Sequence, residues 1–147
     1  MGSIGGRWRV TGEYQHSVDS KGRLFMPSRL REELGESFMV CKGLGGCLFV
    51  YSQENWGNFE KKVNSLPLSQ SIQMQRTVFP TAYKCVVDAQ GRILLTQKLR
   101  EYAGIEKNVT VIGLGNHAEI WSSDKWDQLS SGCTEEVMAA AMDSLGF

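Results

Sequence analysis

The sequence has no long apolar run, and no segment approaches the roughly 18 to 20 residues that a membrane-crossing helix needs. Its N-terminus, Met1-Gly2-Ser3-Ile4-Gly5-Gly6-Arg7-Trp8-Arg9, lacks the apolar core of a secretory leader. Both absences point to a cytoplasmic protein with no membrane partner. Net charge is lacking too: 16 Lys and Arg face 16 Asp and Glu, and the pI is about 6.7. No global field therefore drives the chain onto nucleic acid or acidic membranes. The balance hides a segregation. Residues 127–147 carry Asp127, Glu135, Glu136 and Asp143 without a Lys or Arg, which leaves the rest with a surplus of four positive charges. Any basic surface must be local. The four cysteines form no C-x-x-C and the two histidines lie far apart, so neither a metal nor another cofactor is expected. Cys41, Cys47 and Cys85 fall in apolar, strand-like runs, where a reduced thiol behaves as a small hydrophobe.

What the chain does have is one segment used twice. Asp19-Ser20-Lys21-Gly22-Arg23 leads through an apolar strand to Leu30-Arg31-Glu32 and Gly35; Asp88-Ala89-Gln90-Gly91-Arg92 leads through Ile93-Leu94-Leu95 to Leu99-Arg100-Glu101 and Gly104. After a one-residue insertion the match continues, with Gly43-Leu44-Gly45 answering Gly113-Leu114-Gly115 and Trp56 answering Trp126. A supersecondary unit repeated in this way cannot bury its own apolar face, and each copy is below the size at which a single core stabilises itself. Two copies that interleave their strands share one core, so the expected fold is an α+β, mainly β, intramolecular pseudo-dimer. The expected divisions are residues 13–55 for the first repeat, 82–125 for the second and 126–147 for a C-terminal helical segment.

Within each copy the pattern reads strand, loop, strand, short helix, strand, tight turn, strand, helix. Tyr14, His16 and Val18 alternate with polar residues, as do Tyr83, Cys85 and Val87. Ser28 and Thr96 are positioned to cap the short helices, and Gly35 and Gly104 to stop them in the left-handed region. Phe38 to Cys41 and Val109 to Ile112 read as strands running into Gly-rich turns. Ser52 and Ser122 are placed to cap second helices; in the first of these Trp56, Phe59, Val63 and Leu66 share a face that Pro67 ends. A final amphipathic helix begins at Thr134, with Val137, Met138, Ala141, Met142 and Leu145 on one side.

The D-x-x-G-R loops are where function is sought. Gly22 and Gly91 supply a positive φ, while Asp19 and Asp88 can accept backbone N–H bonds of their own loop. Arg23 and Arg92 then leave the turn in a defined direction, suited to bidentate contact with phosphate or with guanine. Each arginine could equally close an ion pair with its own Asp or with a neighbouring subunit. Lys21, in the first copy only, and Arg29, Arg31, Lys98 and Arg100 on the short helices would make the loop surroundings a cluster of fixed cations.

With these flanks the chain resembles the MraZ family of bacterial division and cell-wall cluster regulators, tandem members of the SpoVT/AbrB-like swapped-hairpin barrel proteins. The resemblance spans residues 12 to about 126. It is carried by Gly12-Glu13-Tyr14, Asp19 to Arg23, Pro27, Arg29 to Leu34, Gly43-Leu44 and Cys47-Leu48, then by Asp88 to Arg92, Leu99 to Gly104 and Glu119-Ile120-Trp121. It implies tandem AbrB-like repeats interleaved into one pseudo-two-fold barrel. It further implies a nucleoid-associated transcription factor that assembles into a ring, binds short direct repeats of double-stranded promoter DNA and represses the operon beginning with its own gene. The DNA-binding position of the family falls on Arg23, with Arg92 its counterpart; related proteins use a cation that falls on Arg31 and on Arg100. Lys21 and Arg29 are added from their charge and placement. Met1 to Arg9 lie outside the resemblance, as an extra leader or as a basic arm in which Arg7, Trp8 and Arg9 touch phosphates.

Other readings stay open at this point. One is an assembly or ligand-binding barrel without a role at DNA, in which the Asp and Arg pairs are interface ion pairs. An antitoxin would usually carry one motif copy and a disordered tail. An enzyme is not expected, because His16 and His117 occupy non-equivalent places and no nucleophile–base pair recurs. Gly43-Leu44-Gly45-Gly46 lacks the helix and Lys of a nucleotide loop and reads as a hairpin turn.

Overall fold

The computed structural model describes residues 10–132 and 134–147. Met1 to Arg9, including the three residues of the basic-arm reading, and Cys133 lie outside the described residues. In chain order the elements are β1 (Val10–Ser17), β2 (Arg23–Phe25), α1 (Ser28–Leu34), β3 (Ser37–Lys42), β4 (Leu48–Ser52), α2 (Gln53–Asn64) and α3 (Leu68–Val78). A 3-10 turn (Phe79–Thr81) leads into β5 (Tyr83–Val86), β6 (Arg92–Leu94), α4 (Gln97–Ala103), β7 (Asn108–Gly115), β8 (Ala118–Ser122), α5 (Ser123–Ser131) and α6 (Glu135–Ser144).

The strands of the two repeats interleave. A six-stranded antiparallel sheet runs β1-β7-β8-β4-β3-β5, and a two-stranded ribbon pairs β2 with β6. Exchanging the strands of one repeat for their counterparts in the other reverses the sheet order and leaves the pairing unchanged. The pseudo-two-fold passes through the central pair, where Phe49 faces Glu119 and is flanked by Leu48↔Ile120 and Val50↔Ala118. The ribbon obeys the same symmetry, with Arg23↔Leu94 and Phe25↔Arg92 around Leu24↔Ile93. The α+β architecture with paired repeats is thus present, and the sheets carry the core. Leu24, Met26, Leu30, Phe38, Val40 and Leu48 of the first repeat pack with Ile93, Leu95, Leu99, Val109, Val111 and Ile120 of the second in one cluster. Neither half closes a core alone.

Several sequence expectations change; one is Ser122, which holds the cap position of α5 without a side-chain cap bond, whereas Ser52 caps α2 by accepting from Asn55 N. Ser28 does not cap α1: Pro27 holds the cap position and its carbonyl accepts from Arg31 N at 3.0 Å. Thr96 does cap α4, its hydroxyl accepting from Leu99 N. Gly104 stops α4 in the left-handed region (φ 66°, ψ 29°), whereas Gly35 turns with φ 93° and ψ −177°, an extended geometry of the kind that favours glycine. Lastly, β7 runs on through Gly115, because β1 pairs with it along its whole length from Val10↔Gly115 to Ser17↔Asn108. Its register also moves the repeat alignment by one. Gly113 lies opposite Ala118 as Lys42 lies opposite Leu48, so Gly113 is the counterpart of Lys42 rather than of Gly43.

The second-repeat glycine has a steric reason. A Cβ on Gly113 would meet Thr11 N at 2.4 Å and the Val10 carbonyl carbon at 2.5 Å, so β1 can cross there only over glycine. The connector between repeats is helical as α3, with Pro67 at its cap, while α2 ends at Asn64 and leaves Leu66 beyond it. Trp56 and Phe59 of α2 pack with Tyr51 and Phe79, and Trp126 packs on Trp121. These aromatics serve packing. Burial pushes the Cys41 and Cys47 thiols up to about 12 and the Cys85 thiol to about 11, in keeping with apolar, unreactive side chains. Among the described residues no helix is long and apolar enough to cross a membrane. The close crossing gives a direct test: Gly113→Ala should cost about 1–3 kcal/mol or more in urea unfolding. Unchanged stability would contradict the crossing.

Candidate nucleic-acid interface

Each D-x-x-G-R loop is tied by its aspartate. Asp19 Oδ1 accepts from Lys21 N and Arg23 N at 2.9 Å each, and Oδ2 accepts from Arg23 Nε at 2.8 Å. Asp88 repeats this with Gln90 N at 2.9 Å, Arg92 N at 2.8 Å and Arg92 Nε at 3.1 Å. The backbone N–H of each loop arginine, first among these contacts, holds its aspartate below the ordinary carboxylate value. Gly22 and Gly91 turn the chain with φ of 85° and 82°. The expected Asx geometry is present in both copies.

The two loops do not stand alone; each is clamped by the other repeat. Met26 N donates to the Gly91 carbonyl at 2.9 Å, and Leu95 N donates to the Gly22 carbonyl at 2.8 Å. The same two residues then hold the helix arginines through their carbonyls. Arg31 Nε donates to Met26 O at 2.9 Å, and Arg100 Nε donates to Leu95 O at 3.1 Å. As a result Arg31 lies over Gly91, where a Cβ would be 3.3 Å from its guanidinium, and Arg100 lies over Gly22 at 3.0 Å. The cations therefore do lie beside the loops, but crossed between repeats: Arg31 buttresses the second loop and Arg100 the first. Glycine is required twice over at these turns, by φ and by the arginine above it.

The ribbon presents what the loops deliver. Leu24 and Ile93 point into the core, so the alternation places Arg23, Phe25, Arg92 and Leu94 on the outer face. Arg23 and Arg92 are diagonal neighbours there, roughly 7–8 Å apart, about the rise of two base-pair steps. Their engagement differs. Arg23 is held through Nε alone, which leaves both Nη groups without a hydrogen bond among the described residues. Arg92 is held at Nε by Asp88, at Nη2 by Gln90 Oε1 at 3.0 Å, and lies 3.9 Å from Asp19 through Nη1. Lys21, Arg29 and Lys98 are exposed.

Phe25 shares the outer face with Arg23 and Arg92, although the D-x-x-G-R pattern does not single it out. It is exposed on the outer face, tilted against His16 at 5.3 Å, and lies under Arg31 at 5.6 Å. The signal was available in the sequence: within Arg23-Leu24-Phe25 only the middle residue can face the core. Leu94 holds the matching place in the second copy, so Arg100 has no aromatic platform there.

Comparison with known proteins bears on the whole chain. Residues 10–77 and 78–145 each match the family described as "MraZ protein, putative antitoxin-like". The chain is 49% identical over 137 residues to "Transcriptional regulator MraZ" of Heliobacterium modesticaldum, covering 90% of this chain and 96% of that protein. It is 48% identical over 140 residues to the protein of the same name from Acetivibrio thermocellus, with 92% and 98% covered. The Caldicellulosiruptor bescii protein of that name is 47% identical over 142 residues, with 94% and 99% covered.

Two measurements follow from the clamps. Arg31→Ala should speed amide exchange at Met26 and Gly91 several-fold and leave Leu95 and Gly22 unchanged; loosening at Gly22 instead would contradict the crossing. Because the folded values of Asp19 and Asp88 lie below the ordinary 3.8, their stabilisation is complete above that pH and is lost as pH falls through the lowered values. Carboxyl NMR titration should accordingly give both midpoints below 3.8, and a midpoint at or above it would refute the loop bonding.

Proposed function

The chain belongs to the MraZ family, and from that premise we propose that it is a transcriptional regulator that binds double-stranded DNA through the paired loops. The observation that carries this reading is the ribbon face, where two rigidly held arginines stand side by side and Arg23 keeps its outer edge for a second anion. Relatives named as transcriptional regulators support it, and accord with the expectation that the chain is not an enzyme. Arg23 is the principal contact, with Lys21 and Arg29 adding phosphate contacts beside it. Arg92 sits on the same face but is the more occupied partner. Arg31 and Arg100 lie at the interface and act there chiefly by holding the loops.

The finer reading is a nucleoid-associated repressor of the division and cell-wall operon that begins with its own gene, acting as a ring on short direct repeats. The neutral charge of the chain fits such an assembly. A few local cations per subunit bind weakly, at roughly 1–3 kcal/mol per good bidentate base contact, and several subunits on successive repeats multiply the affinity through effective concentration. Subunits related head to tail by one rotation also match direct repeats better than an inverted palindrome.

Arg23→Ala separates this from an assembly protein without a role at DNA. The expected result is at least about a tenfold loss of affinity for DNA upstream of the gene, with unchanged native mass. Arg92→Ala should lose less. Loss of the assembly with Arg23→Ala would make the Asp–Arg pair an interface element instead.

A further inference from the structure

The helix α6 is well formed but covers nothing. Thr134 Oγ1 accepts from Val137 N at 3.2 Å, and Glu135 and Glu136 sit in the first turn, where the helix dipole favours them. Yet no residue of α6 is buried, and Val137, Met138, Met142 and Leu145, along its apolar side, are 42–73% exposed. An apolar helical stripe of this kind is a contact surface awaiting a partner.

The charge pattern says which partner. Residues 127–147 hold four acidic residues and no basic one, while the rest of the same chain carries the compensating surplus. A matching face exists at the end of α2. There a cavity of about 420 Å3 is lined by Tyr51, Asn58 and Phe59, with Lys61 and Lys62 at its edge. Tyr51 is buried, its ring stacked on Phe59 at 5.1 Å and on His117 at 5.1 Å, and the half-buried Phe59 is the aromatic side chain left for methionine to pack against. Lys61 and Lys62 are exposed in the last turn of α2 and make no ion pair among the described residues.

We propose that α6 of one subunit docks on the α2 face of a second copy of this chain, Met138 and Met142 against Phe59 at the cavity and Glu135 and Glu136 against Lys61 and Lys62. Antiparallel packing brings the acidic first turn of α6 beside the basic last turn of α2, so that the helix dipoles are also opposed favourably. The contact is heterologous, since the two surfaces differ, and its repetition is what a head-to-tail ring requires. The inference rests on the ring reading above.

The test is charge exchange in the full chain, read by native mass and light scattering. Lys61→Glu with Lys62→Glu, and separately Glu135→Lys with Glu136→Lys, should raise the concentration for half-assembly by about tenfold or more and shift mass toward the single chain of 16.4 kDa. All four exchanges in one chain should restore the assembly. Met138→Glu with Met142→Glu, at exposed positions, should dissociate it independently, and thermal unfolding of every variant should match the parent. If the parent chain is itself a monomer, the ring reading falls and this contact with it. If the parent assembles and the one-sided variants assemble equally, or the four-fold exchange fails to restore what they lose, the ring stands and the α6–α2 contact is refuted.

Discussion

The constraint on which the rest depends is the exchange of backbone hydrogen bonds between the two loops and the opposite repeats. The Gly22 carbonyl is held by Leu95 N, and the Gly91 carbonyl by Met26 N. A loop of five residues, exposed and carrying charge, would otherwise sample many conformations, at about 1–2 kcal/mol of backbone entropy per residue to fix. Here each loop is fixed at its glycine by a strand that is itself part of the shared core, and at its aspartate by its own amides. The arginines that emerge are presented on a prepaid scaffold. A single copy could form the turn but not clamp it, since each clamp comes from the other repeat.

Symmetry in the scaffold coexists with asymmetry in the charge. The ribbon pairs Arg23 and Arg92 by the same pseudo-two-fold that relates the strands, but Gln90 and Asp19 occupy Arg92 while Arg23 answers to Asp19 alone. Lys21 adds a charge where the second copy has Gln90. Phe25 gives Arg31 a platform that Leu94 denies to Arg100. Both loops build the face, and the first carries more of its free cationic capacity. A neutral protein can thus hold a local cationic surface without a global positive field.

Much of this was legible in the residues. The duplicated Asp, Gly and Arg mark the loops and their Asx bonding, and the 3.6 and 2.0 periodicities find the strands, α2 and α6. Other features depend on contacts distant in sequence. Arg31 reaching Gly91, rather than its own loop, follows from strand exchange between repeats, which no local window encodes. Gly113 looks like a turn glycine beside Leu114 and Gly115, but it is a strand residue crossed by β1. Ser28 has the chemistry of a cap and loses the position to Pro27, whose φ is already suited to it. The helical connector α3 owes its order to packing distant in sequence, through Val78 and Met74 in the Trp56 cluster.

The central claim, that the clamped loop pair reads repeated DNA, is tested most directly by a footprint on the DNA upstream of the protein's own gene. The account predicts protection of short, regularly spaced repeats in one orientation, appearing together over a narrow range of protein concentration. Absence of protection there, or protection without regular spacing, would contradict it.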